Sequence, residues 1–169
     1  TLVAGDQVLV YRHGPPDLGD IVVCADPQDA TRRVVGRVVG LPGSTVAIER
    51  GLLKINNVVA RTEGAEQGRF RLIDVPNHGY EYNLARTREL LGNNPHDIVT
   101  MPNRSIDLRS RRVQRGLFLL SDSRTLGRDS RHYGEVPAPS CRGEVFFLLS
   151  AAAGTGDASN ASRSLSWVR

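Results

Sequence analysis

Residues 31–47 read T-R-R-V-V-G-R-V-V-G-L-P-G-S-T-V-A, with valine pairs on both sides of Gly36. Valine favours the pleated strand because its stiff χ1 packs well there. Pro42 and Gly43 come next and favour a tight turn, because proline presets φ and glycine accepts positive φ. The segment predicts a buried hairpin whose return strand is Thr45 to Ile48, and Gly36 leaves a hole in one row of its side chains.

Length and composition bound the class of protein. At 169 residues the chain is expected to form one domain, or one domain with a small excursion. The formal net charge is +4, and among 22 Lys and Arg residues only Lys54 is lysine, an excess of arginine that a GC-rich coding bias explains. Because arginine cannot lose its proton in a protein, Lys54 is the only lysine available as a base.

The chain ends and the two cysteines are less informative about the class of protein. No apolar run approaches the roughly 18 residues of a transmembrane helix. The chain shows no signal peptide and no initiator Met, so we expect a domain cut from a longer protein. Cys24 and Cys141 lie in apolar runs without metal-ligand spacing. They are interpreted as buried thiols that pair only if the fold brings them together.

Short strands separated by turns predict a mainly β fold. One short helix is predicted, Asn83 to Leu91, with Asn83 as N-cap and Gly92 beyond its end. The basic run Arg104 to Arg115 lacks interleaved aromatic residues, which favours a solvated strand edge over a nucleic-acid site. The predicted strands are 6–12, 21–24, 116–120 and 143–149, and residues 52–59 are predicted to form a hairpin with its turn at Asn56 and Asn57.

These patterns divide the chain into three parts. Residues 1–59 and 112–150 are predicted to form the core, a β-barrel or sandwich. Residues 60–111 are predicted to form a smaller, β-rich inserted subdomain. Residues 151–169 are small and polar, which predicts a mobile C-terminal segment.

Five segments in order resemble bacterial signal peptidase I, the membrane-bound serine protease that removes signal peptides from exported proteins. Gly19 to Val23 is similar to the family's G-D-I-V-V strand, and Arg37 to Gly43 is similar to its K-R-V-V-G-L-P-G-D segment. Residues 113–137 resemble V-P-x-G-x-x-F-x-x-G-D-N-R-D-N-S-x-D-S-R-x-W-G-x-V-P. Thr1 to Val10 and Leu53 to Asn56 complete the set. Any one of these segments is weak, but five in the family's order are specific.

The resemblance implies a Ser–Lys dyad, in which a serine attacks the peptide carbonyl and a buried neutral lysine takes its proton. The nucleophile and the oxyanion serine would lie before Thr1. The lysine position falls on Gly36, and the serine that holds the lysine amine falls on Gly127. The resemblance therefore implies a protease domain that is catalytically impaired as written, with no cofactor and no metal.

Other positions of the family's site are kept. The resemblance implies that Arg37 pairs with Asp122 and that Asp129 and Arg131 brace the same loop. The strand edge that pairs with the substrate backbone matches Arg33, Val34 and Val35, which hairpin packing explains equally well. The whole expected frame is Arg37, Asp122, Arg124, Asp129, Ser130 and Arg131. The departures from the motif are Gln114, Ser121, Ser123, Thr125 and Leu126.

Histidine offers no clear replacement for the lysine. The candidate bases in principle are His13, His78, His96 and His132, none of which occupies the lysine position. His132 lies nearest the loop and is interpreted as structural.

Four functions compete. The first is a signal-peptidase-like endopeptidase, impaired as written, that acts on preprotein signal peptides at the exported face of the cytoplasmic membrane. The second is a non-catalytic relative that binds extended peptides or a protein partner at the membrane surface. The self-cleaving repressor proteases use the same dyad but need a late lysine that this chain lacks. A nucleic-acid binder rests on arginine content alone.

Overall fold

The structure is a computed structural model that describes residues 2, 5–12, 14–74, 80–92, 94–151 and 164–168, with side chains outside 65–81. Its strands are numbered in chain order and form three sheets. Thr1, His13 and His78, which entered the predictions above, lie outside the described residues.

The first sheet carries the valine-rich segment. Its strands are β1 (Gln7–Tyr11), β2 (Ile21–Asp26), β3 (Asp29–Gly40), β11 (Phe118–Leu120), β12 (Cys141–Ser150) and β13 (Ser166–Trp167). The strand order is β1-β12-β2-β3-β11, and β13 pairs with β12. Within the described residues this sheet stays open at β1 and β11 rather than closing into a barrel.

Two smaller sheets complete the molecule. The second contains β4 (Thr45–Glu49), β5 (Leu52–Ile55), β6 (Val58–Val59) and β10 (Leu108–Arg112), in the order β10-β4-β5-β6. The third contains β7 (Arg61–Asp74), β8 (Tyr80–Leu91) and β9 (Asn94–Thr100). A mainly β fold is therefore confirmed.

The predicted hairpin between β3 and β4 is wrong. The turn forms, because Ser44 N–H donates to the Leu41 carbonyl at 2.9 Å and Gly43 has a φ of 88°. The chain then leaves the first sheet, and β4 pairs with β10 and β5 instead. A Cβ at Gly40 would lie 2.7 Å from Val46, so glycine permits this close crossing of two sheets.

The predicted helix is also wrong. Asn83 to Leu91 belongs to β8, which pairs with β7 on one side and β9 on the other. Gly92, expected after a helix end, has a φ of 59° in the turn between β8 and β9. The one α-helix of the described residues is α1, Ser130–Tyr133, and Ala138–Ser140 form a short 3-10 turn. No described helix has the length and apolar character needed to cross a membrane.

Two hydrophobic clusters cover the two faces of β3. Val39 packs with Val46 and Ile48 of β4, in a cluster shared with the second sheet. Val34 and Val38 pack on the opposite face, in a cluster that also holds Leu119 and Tyr133. The side chains of β3 therefore hold the second sheet on one face and the segment around α1 on the other.

Cys24 and Cys141 are joined in a disulfide rather than being free thiols. The two cysteines are direct partners across β2 and β12. Their 117-residue separation in sequence hid this proximity.

The three-part division of the chain stays a prediction. All of strand β10 except Arg112 falls within the predicted insertion, but the strand pairs with β4 of the core. Of the predicted C-terminal segment, residues 152–163 lie outside the described residues, and Ser166–Trp167 form β13.

Candidate functional site

The polar loop Ser121 to Arg131 connects β11 to α1, and one carboxylate organises it. Asp129 is fully buried and caps α1. Its oxygens accept from Ser121 N–H at 2.9 Å and from Arg131 Nε and Nη2 at 2.8 and 2.7 Å. Because one group holds both ends of the loop, its path is fixed from within.

A buried ion pair ties the start of the loop to β3. Arg37 donates from Nε and Nη2 to the two Asp122 oxygens, each at 2.8 Å, and from Nη1 to the Gly19 carbonyl. Burial opposes ionisation of Asp122, but the hydrogen bond and charge of Arg37 outweigh it and lower the pKa of Asp122. The Arg37–Asp122 ion pair implied by the resemblance is present. That this pair supports an active site stays a prediction.

A second buried cluster joins the loop to the third sheet. Arg124 Nη2 donates to Glu89 on β8, and His96 Nε2 on β9 lies 3.1 Å from the same carboxylate oxygen. Burial opposes ionisation of Glu89, but His96 and Arg124 lower its pKa overall. The sequence interpretation missed Glu89 because it placed this residue on a helix.

The loop also pairs with β9 through its backbone. Val99 N–H donates to the Asp122 carbonyl at 2.8 Å, and Arg124 N–H donates to the Val99 carbonyl at 2.9 Å. Thr125 Oγ1 accepts from Met101 N–H at 2.9 Å. Thr125 is one of the departures from the family motif, and it adds to the hold of the third sheet on this loop.

The space in front of Gly36 is already occupied. A Cβ at position 36 would lie 3.0 Å from the Leu119 Cβ and 3.4 Å from the Leu120 carbonyl oxygen. Leu119 is fully buried in the cluster that covers this face of β3. The hole predicted from the sequence is therefore filled by an apolar side chain, and no amine reaches it from position 36.

The position of Gly127 is filled by a residue from the other end of the loop. A Cβ at position 127 would lie 2.1 Å from the Ser121 Cβ and 2.2 Å from its Oγ. Ser121 stands where the resembling motif has glycine, and Gly127 stands where it has serine. Glycine and serine are thus exchanged between positions 121 and 127. The Ser121 side chain occupies the space that a side chain at position 127 would fill.

The segment Arg33 to Val35 lies at an open strand edge. On one side these residues pair with β2, where Val35 faces Val23 and Val34 faces Cys24. On the other side β11 pairs only with residues 37–40 of β3. Among the described residues no strand covers this edge, and Val35 is 44% exposed.

The remaining candidate bases have other partners. Lys54 Nζ pairs with Glu49 at 2.6 Å in the second sheet. His96 is buried against Glu89. His132 Nδ1 accepts from Asp129 N–H at 3.2 Å, within the cap of α1. No group of three His, Cys, Asp or Glu side chains among the described residues is arranged to hold a metal.

Comparisons with known proteins give one family. The family described as signal peptidase, peptidase S26, matches residues 1–150. The signal peptidase I of Streptococcus pneumoniae serotype 4 is 28% identical over 155 residues, covering 88% of this chain and 76% of that protein. A probable signal peptidase I-1 of Synechocystis is 25% identical over 158 residues, covering 87% of this chain and 63% of that protein.

One solved structure is also similar. A signal peptidase I from Enterococcus faecalis aligns with a TM-score of 0.47 and 23% identity, over 79% of this chain and 98% of that one.

Proposed function

This chain belongs to the signal peptidase family, peptidase S26, and from that membership we propose that it is a signal peptidase I-type domain that holds the signal-peptide segment of exported preproteins without cleaving it efficiently. The proposal places it at the exported face of the cytoplasmic membrane. Peptide binding is the part of the family's activity that its own residues can still perform.

One observation supports the proposed loss of cleavage. A serine nucleophile needs a base within hydrogen-bond reach to take its proton. At position 36 there is no side chain, and the buried Leu119 occupies the adjacent space. An apolar contact cannot accept a proton, so a nucleophile supplied from before Thr1 would stay a poorly reactive hydroxyl.

The retained frame supports peptide binding. Arg37 and Asp129 hold the loop under β3 through buried contacts that do not depend on a catalytic lysine. The free edge of β3 presents backbone groups to which an extended segment can add as a further strand. Val35 gives this edge an exposed apolar contact.

A second candidate is an active endopeptidase whose base is His132. The ring is 54% exposed, and its Nδ1 lies 3.7 Å from Asp129 Oδ1. The cap of α1 disfavours this function, because Nδ1 already accepts the Asp129 N–H. The Nδ1 lone pair is therefore not free to take a proton from a serine nucleophile.

Binding at the β3 edge is tested with a labelled peptide that spans a signal-peptide cleavage region, followed by fluorescence anisotropy. We expect Val35→Asp to weaken binding by about tenfold, equivalent to about 1.4 kcal/mol. Val58→Asp is the matched control, because Val58 is a 70% exposed valine on β6 of another sheet. Absence of binding to the natural chain, or equal losses in both variants, would refute the assignment of this edge.

A further inference from the structure

A cavity of about 440 Å³ lies between the first and third sheets, and Arg37, Asp122 and His96 of the candidate site also line it. This volume falls within the range of small-molecule sites, about 300–1,000 Å³. Its walls differ in chemistry. The wall from the third sheet carries Arg86, Arg88 and Asp97, and the wall from the first sheet carries Ile21, Leu148 and Trp167.

Among the described residues of the basic wall, two arginines face one carboxylate. Arg86 Nη1 lies 3.7 Å from Asp97 Oδ2, and Arg88 Nε donates to Asp97 Oδ1 at 3.3 Å. Two guanidinium groups therefore share one carboxylate, and both arginine side chains remain 45% exposed. A guanidinium offers five N–H donors in a planar fork that matches a carboxylate or phosphate, so donors remain for an anion.

The apolar wall comes from three strands of the first sheet, β2, β12 and β13. Leu148 on β12 pairs directly with Ser166 of β13, and the next residue, Trp167, pairs with Phe147 and contacts the rings of Phe146 and Phe147. Ile21 and Leu148 are buried, whereas Trp167 is 69% exposed. An apolar chain lying here would cover exposed indole surface, and burial of apolar area is favourable.

We propose that this cavity binds a single-chain amphiphilic anion, with its head on Arg86 and Arg88 and its chain against Ile21, Leu148 and Trp167. A carboxylate and a phosphate monoester share this chemistry, so the ligand is a fatty-acid-type or lysophosphatidate-type molecule. Asp97 holds the two arginines in place when the cavity is empty and competes with the anion for them. The cavity shares Arg37 and Asp122 with the frame of the proposed peptide site, but the contacts proposed for the anion do not include the open edge of β3.

Trp167 makes the site directly measurable, because it is the only tryptophan of the chain. Its intrinsic fluorescence is followed while decanoate or decyl phosphate is added below the concentration at which each forms micelles. We expect saturable changes with both anions. Decanol tests the need for the charge and acetate tests the need for the chain, and both are expected to bind much more weakly.

Variants of the basic wall are expected to change the affinity for decanoate in opposite directions. We expect the double variant Arg86→Gln, Arg88→Gln to bind decanoate about tenfold more weakly, since it loses charge-assisted hydrogen bonds. Asp97→Asn removes the competing carboxylate and is expected to bind more tightly. Arg109→Gln with Arg111→Gln is the matched control, two exposed arginines at the same spacing on β10, and should bind as the natural chain does.

The results that support the anion site differ from those that overturn it. A saturable decanoate response that weakens in the Arg86 and Arg88 variant and strengthens in Asp97→Asn supports the site, and the tighter of the two anions identifies the head group. No response, equal binding of decanol, or an Asp97→Asn variant that binds more weakly would overturn it.

Discussion

Ser121 and Gly127 share one space, so their substitutions must be read together. Restoring serine at position 127 would bring its Cβ to 2.1 Å from the Ser121 Cβ, closer than atoms can pack. A lone change toward the family motif therefore creates a steric clash at this position. The hydroxyl of Ser121 meanwhile accepts from Ser123 N–H at 3.1 Å, which braces the loop.

We expect Gly127→Ser alone to lower the free energy of unfolding by about 1–3 kcal/mol through overpacking. Adding Ser121→Gly should recover part of that loss, because it vacates the space of the Ser121 side chain while the Ser123 carbonyl oxygen, 2.7 Å from the same Cβ, remains. Chemical denaturation of both single variants and the double variant measures the coupling. Additive losses would show that the two side chains do not compete.

Asp122 sets a dependence of stability on acidity. Its pKa is lowered from the usual 3.8, since Arg37 favours the carboxylate more than burial opposes it. In the unfolded chain Asp122 takes up its proton nearer the usual pKa. The stabilisation is therefore present above about pH 4 and is lost as pH falls through the lowered pKa of the folded state.

We expect Asp122→Asn to cost about 3–5 kcal/mol at neutral pH, because the buried Arg37 loses its counter-charge. The gap between the variant and the natural chain should narrow on acidification below about pH 4. Urea unfolding at a series of pH values checks this. A gap that stays constant across the series would mean that Asp122 is not ionised in the folded protein.

At the scale of elements, the Cys24–Cys141 disulfide joins β2 to β12 in the first sheet. It closes a long loop, since 117 positions separate the two cysteines. Cross-links of long loops restrict the unfolded chain most, although how this stabilises the fold depends on the model used.

We expect reduction to lower the free energy of unfolding by about 2–5 kcal/mol. The measurement is denaturation with and without reductant, with thiol titration to prove that the bond is open. The variant with Cys24→Ala and Cys141→Ala is the control, and we expect its denaturation midpoint to be the same with and without reductant. An unchanged midpoint in the reduced natural chain would contradict the role given to this bond.

Some elements could be predicted from sequence, and the failures share one cause. Valine pairs and a Pro-Gly turn located β3 and its turn, and paired asparagines located the tight turn between β5 and β6, where Asn56 and Asn57 both have positive φ. The partners of β4 and β8 could not be predicted, because strand pairing depends on distant residues more than on local propensity. Asn83 and Gly92 suit helix ends and strand turns alike.

At the scale of the whole molecule, the candidate site joins parts that the sequence identified and parts that it hid. The family motif located Arg37, Asp122 and Asp129, because charged residues at fixed spacing survive as a readable pattern. Glu89 of the third sheet was hidden, since its value comes from meeting Arg124, 35 positions away. The exchange between positions 121 and 127 needed coordinates, because only shared space connects the two residues.

The central claim is that this domain holds signal-peptide segments but lacks the base to cut them. The most direct test is cleavage of a signal-peptide-bearing preprotein by the longest natural form of the chain, in detergent, with an active signal peptidase I as positive control. A companion variant carries Gly36→Lys with Leu119→Ala, which supplies an amine and removes most of the side chain that fills its space.

We predict that the natural form leaves the preprotein intact over the time in which the control enzyme processes it completely, and that any gain of cleavage appears only in the lysine variant. Removal of the signal peptide by the natural form, at a rate comparable to that of the control, would contradict the account.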